Sequence, residues 1–131
     1  MPQLLILAGT IATLCISQIG CTSAPIQNAN FPITPAGGTS LDAVERSIIE
    51  VGVDLGWVIE PTGPGEATGT LNLRTHMAVV RIRYDARRVR IDYVDSRNLD
   101  HHGDRIHRNY NNWIRNLEVK IQRSIGGTES S

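Results

Sequence analysis

The sequence is poor in the residues that announce a chemistry. It has two cysteines, Cys15 and Cys21, both near its start, so the globular part has no thiols to staple and is read as free of disulfides. Aromatics make up only 5% of the chain. None interleave with the basic residues as a base-stacking surface requires, so nucleic acid is not an expected partner. No serine or cysteine has a recognisable base partner, and no glycine pattern resembles a phosphate-binding loop. Formal charge sums to zero. These absences leave no reaction and no cofactor to read, and the chain is expected to be non-catalytic.

Charge is also missing from the first stretch. Leu4 to Ile16 is an uncharged apolar run that leads through Gln18, Ile19 and Gly20 to Cys21. An apolar core of about 7 to 15 residues ending at a small residue is the pattern of an export signal. Residues 1–20 are read as one, although the basic n-region is absent. The small residue directly before cysteine is similar to the junction of bacterial lipoprotein signals, with Gln18 standing where Leu, Val or Ile is usual. On that reading Cys21 is the lipid-attachment residue, cleaved free and given a diacylglyceryl thioether. An uncleaved anchor is the alternative, but the run reaches the ~18 residues of a span only if Ser17 and Gln18 are counted. A nucleophilic Cys21 is the weaker reading, because no histidine stands beside it to activate the thiol.

Residues 21–38 are rich in Pro, Gly, Ser, Asn and Thr, including Pro25, Pro32, Pro35, Gly37 and Gly38. They read as a lipidated tether that, with partial polyproline extension, could hold a domain up to roughly 50 Å from a membrane. Ile26, Phe31 and Ile33 allow the opposite outcome, in which part of the segment adds an edge strand.

Residues 39–125 are enough for one core, and 126–131 read as a disordered tail. Thr39 or Ser40 can cap a first helix whose stripe is Leu41, Val44, Ile48, Val51 and Leu55. Gly56 is expected to end it in the left-handed conformation. Strands are expected at Trp57 to Glu60, Ala67 to Leu73, Met77 to Tyr84 and Arg88 to Val94, with a turn over Pro61 to Gly65 and a hairpin at Asp85 to Arg87. Around Arg74, Thr75 and His76 the apolar parity changes, which a tight turn or a bulge explains equally well. Ile106, Tyr110, Trp113, Ile114, Leu117, Ile121 and Ile125 share the face of a last helix. The expected fold is therefore α+β: a two-layer sandwich of a mostly antiparallel four-stranded sheet, with room for a fifth edge strand, and two helices on one face.

The run His107 to Leu117, with Tyr110, Asn111, Asn112, Trp113 and Ile114 at its heart, resembles the terminal helix of a family of small lipoproteins found in Gram-negative bacteria. The Gly56-Trp57 pair and the segment Leu73, Arg74, Thr75, His76 are similar to that family too. The resemblance implies a single compact unit behind a lipid, and no particular activity. By analogy with lipoprotein sorting, Thr22 after the cysteine implies the outer membrane, facing the periplasm.

Charge is unevenly placed. Thr22 to Glu66 carries six acids against Arg46, whereas Ala67 to Arg123 carries twelve cations against six acids. Arg74, Arg81, Arg83, Arg88 and Arg90 are expected to share the sheet face away from the helices. Arginine forks suit phosphate and carboxylate, so these five form a candidate surface for an anionic lipid, a glycolipid or an acidic protein of the envelope. A solvated, aggregation-resistant sheet face explains them as well. His101, His102 and His107 cluster with Asp100 and Asp104, but their spacing matches no metal motif, and helix entry accounts for them. Asn98, Asp100 and Asp104 are the cap candidates there.

Overall fold

The computed structural model describes residues 22–34 and 40–126. The expected signal, Cys21, the Pro35 to Gly38 part of the tether, the cap candidate Thr39 and residues 127–131 lie outside them. The chain forms β1 (Ser23–Pro25), β2 (Ala29–Pro32), α1 (Leu41–Asp54), β3 (Trp57–Gly63), β4 (Glu66–Leu73), β5 (His76–Tyr84), β6 (Arg88–Arg97), β7 (Arg105–His107) and α2 (Arg108–Ile125). Five strands make one antiparallel sheet in the order β2-β6-β5-β4-β3, and β1 pairs with β7 in a separate ribbon.

The period-two alternation of the strands selects the buried face. Trp57 and Ile59, Ala67 and Leu71, Ala78, Val80 and Ile82, Val89 and Ile91, and Ala29 and Phe31 all point into one core. The helices close it with Val44, Ile48 and Val51 from α1 and Tyr110, Ile114, Leu117, Ile121 and Ile125 from α2. This is the α+β two-layer sandwich that the periodicities require. Ser40 caps α1 by accepting from the Ala43 amide at 3.2 Å, and Gly56 follows the helix at φ +87°. Inside α1, Gly52 is pressed against β3: a Cβ there would collide with Ile59 Cγ1.

Residues 22–34 are not a free spacer. β1 and β2 lie in this segment, and Phe31 and Ile33 are 2% and 6% exposed. Burying a side chain of that size stabilises by about 1.5–3 kcal/mol. Two of them exceed the ~1–2 kcal/mol per residue that ordering their own backbone costs. β2 is the fifth strand, and it is an edge strand, where Pro32 removes no ladder bond. In its register Ile33 N donates to Arg87 O at 2.8 Å, which leaves the proline nitrogen on the outer side.

Several local expectations change, and one left open is decided. β3 continues to Gly63 through an irregularity between Pro61 and Gly63, so only Pro64 and Gly65 form the turn. Ile106 belongs to β7 and not to α2, although it is fully buried. The cap of α2 is His107, whose Nδ1 accepts from the Asn109 amide at 3.2 Å, in place of Asn98, Asp100 or Asp104. Around His76 the parity change comes from a tight turn: Leu73 pairs with His76, and Arg74 sits at φ +56°. A true bulge lies elsewhere, where β6 skips a residue against Val79 and Val80. It leaves Val94 exposed and returns Asp95 and Arg97 to the open face.

Candidate functional site: an arginine cleft on the open sheet face

Cross-strand register groups four of the five singled-out arginines. Arg83 stands opposite Arg90, Arg81 opposite Asp92, and Arg88 opposite Pro32. Arg74 does not join them. It lies in the β4–β5 turn, seven residues of strand away from Arg83, roughly 23 Å at ordinary strand rise. The sequence placed it on the same face by parity, but the turn ends that parity.

Acids interleave with the remaining four. Glu66 pairs with Arg81 at 3.1 Å, and Asp92 with Arg90 at 3.5 Å. Arg88 Nε donates to Asn30 Oδ1 at 3.1 Å. Among the described residues Arg83 has no acid within ion-pair distance. Its neighbours are Arg90 on β6 and Glu66 on β4, and Glu66 is already held by Arg81. Asp92 was legible as an open-face residue by alternation. Glu66 was not, because only register places it beside Arg83.

Arg83, Arg88 and Arg90 line an open cleft of about 420 Å³ at the end of the sheet, with Asn30, Pro64, Gly65, Glu66, Tyr84 and Asp85. The lip needs its glycine. Gly65 has φ +72°, and a Cβ there would sit 2.6 Å from Tyr84 O; the Tyr84 amide donates to Gly65 O at 2.9 Å. Asp85 contributes a carboxylate to the lip beside Arg88. Its Oδ1 accepts from the amides of Arg87 and Arg88 at 2.7 and 2.8 Å, and those bonds hold its carboxyl below the usual range. Behind the cleft, Tyr84 Oη donates to Glu45 at 2.5 Å, which ties the end of β5 to α1. Burial, then the Glu45 carboxylate, push that phenol well above its ordinary value.

The histidines are dispersed among structural tasks. His101 lies against Tyr93, ring centroids 4.7 Å apart, and its Nε2 donates to Gly103 O at 2.9 Å. His107 caps α2, and His76 Nδ1 donates to Asn98 O at 2.7 Å. Among the described residues no three His, Cys, Asp or Glu side chains converge on a common point.

A smaller cleft of about 150 Å³ opens between Leu55, Gly56, Trp57, Leu71, Leu73, Trp113 and Asn116. It brings together residues from all three segments that carry the resemblance, a convergence hidden in the sequence because the segments lie far apart along the chain. The fold and this open face define a small two-layer α+β module with a basic cleft. No family model, curated protein or solved structure matches the chain.

Proposed function

We propose that the chain is a non-catalytic lipoprotein of the cell envelope, related to the small Gram-negative lipoproteins it resembles. It is anchored to the outer membrane through Cys21 and serves as a docking module for an anionic partner. The observation that carries the docking part is the Arg83/Arg90 pair. Like charges directly opposite in a sheet are unfavourable; Glu66 is held by Arg81 and Asp92 meets Arg90, so among the described residues Arg83 is left without an acid. An incoming carboxylate or phosphate would bridge the two forks and relieve the repulsion.

The partner is an envelope protein with an acidic segment. An anionic lipid or glycolipid is the second reading, favoured by the same arginines. The interleaved acids Glu66 and Asp92 weigh against a flat, uniformly anionic surface and for a localised group entering the cleft.

The test is in-cell crosslinking of the intact protein with a photoreactive residue at Asn30, followed by mass spectrometry. A protein captured from the parent and lost from Arg83→Glu/Arg90→Glu supports docking. Identical capture by both forms, or no capture, overturns it. Intact mass measures the anchor separately: a mature chain lacking acyl chains on Cys21 removes the lipoprotein reading.

A further inference from the structure

The folded start of the domain has a consequence for where the arginine cleft points. Thr22 is already built in: its carbonyl accepts from the Arg108 amide at 2.7 Å. Ser23 pairs with His107 and is clasped by Arg105, whose Nε and Nη2 donate to Ser23 Oγ and O at 3.1 and 3.0 Å. A lipid on Cys21 would therefore begin one peptide unit, ~3.8 Å between Cα atoms, from fixed structure.

Hydrogen bonds trace which end of the molecule this is. His107 N donates to Leu99 O at 2.7 Å. Asn98 Nδ2 donates to Thr75 O at 3.0 Å, so Thr22 shares a pole with the β4–β5 turn. The cleft lies at the β5–β6 turn, at the other pole. Arg88 and Arg97 mark the two ends of β6, and nine residues of strand separate them by roughly 25–30 Å. That is about three Debye lengths of ~8 Å at physiological salt, so headgroup charge beneath the Thr22 pole is largely screened at the cleft. The Thr22 pole also carries what an interface accepts: Leu73 is 46% exposed beside the turn, and half-buried Trp113 flanks the apolar cleft, an aromatic suited to a boundary between apolar and wet.

We infer that β1 moors the domain flush on the anchoring leaflet by its Thr22 pole and aims the cleft of Arg83, Arg88 and Arg90 away from it, toward an anionic group on a partner outside that leaflet. This rests on the Cys21 anchor. It deepens the docking reading by excluding the anchoring membrane as the ligand.

The experiment uses the full processed chain reconstituted in vesicles that contain a headgroup-region quencher lipid. A fluorophore is placed on Thr75→Cys or Ala86→Cys, one at each pole. The expected result is loss of Thr75 fluorescence with Ala86 left at its unquenched intensity, in neutral and in phosphatidylglycerol-containing vesicles alike. Inserting ~15 Gly/Ser residues between Cys21 and Thr22 adds a flexible span of about 20 Å and should abolish that selectivity. Equal quenching at both sites, none at either, or Ala86 quenching that appears with anionic lipid overturns the inference. Protein that fails to float with the vesicles overturns the anchor reading instead, and with it this one.

Discussion

Arg83 and Arg90 face each other across β5 and β6, with Arg83 unpaired among the described residues and Arg90 leaning on Asp92 at 3.5 Å. Directly opposed residues of an antiparallel pair have Cα atoms about 4.5–5.5 Å apart. The two side chains thus rise from neighbouring points of the same face, with a carboxylate partner for Arg90 alone. Arg83→Gln is expected to leave the domain as stable as before or more stable by about 0.2–1 kcal/mol. The gain should shrink as salt rises, because the repulsion is screened. Urea unfolding at low and high salt measures it. A loss comparable to removing a core residue would mean that Arg83 holds the fold together, and the docking argument would fail.

Tyr110 is fully buried, and its hydroxyl has no hydrogen-bond partner among the described residues. The ring packs edge-on against Tyr93 at 5.6 Å, so its apolar part is well placed while its oxygen is not. An unsatisfied buried polar group costs about 1–3 kcal/mol. Tyr110→Phe keeps the ring and removes that cost, so the variant should unfold at higher urea, with about 1 kcal/mol more stability. Equilibrium unfolding with an unchanged m-value would show that the gain lies in the native state.

The two buried phenols also set an alkaline limit. Burial raises the Tyr110 pKa above the ordinary value of 10.0, and burial together with Glu45 does the same for Tyr84. Above pH 10 the unfolded chain releases these protons while the folded chain keeps them, so the unfolded state binds fewer protons and stability falls with rising pH. Below pH 10 the two phenols should contribute a flat profile. Denaturation measured between pH 8 and 12 should show a decline beginning near pH 10. Tyr84→Phe/Tyr110→Phe should decline less steeply.

How much of this was legible in the sequence follows from what each signal encodes. Alternation in β5 and β6 assigned the open face to Arg81, Arg83, Arg88 and Arg90, because side-chain direction is local. It misassigned Arg74, since the Leu73–His76 turn depends on pairing. Helical spacing found α1 and α2, yet drew Ile106 into α2: a residue buried in β7 falls on the same stripe by coincidence of phase. Composition read residues 21–38 as a tether, because two strands of three and four residues that contain Pro25 and Pro32 carry almost no propensity signal. Phe31 and Ile33 were the hint. Their fate depended on a groove between β6 and α2 that only the folded domain provides.

Asn111 tests that mooring directly. From α2 its Oδ1 accepts from the Gln27 amide at 3.0 Å, and its Nδ2 donates to Pro25 O at 2.9 Å, so one side chain replaces the ladder bonds that the stretch between β1 and β2 lacks. Asn28 extends the same tie, its Oδ1 accepting from the Tyr93 amide at 3.0 Å. Asn111→Ala removes two hydrogen bonds and should cost about 1–3 kcal/mol. The cost should be borne locally: Pro25 to Asn28 frays while Phe31 keeps β2 in the core. Hydrogen exchange should show the amides of Ile26 and Gln27 losing protection while that of Phe31 is unchanged. Protection lost throughout the sheet would instead make Asn111 a determinant of global stability. Unchanged exchange at Ile26 and Gln27 would show that the segment after β1 is held without Asn111, by bonds such as that from the Ile26 amide to Asp104 O at 2.8 Å.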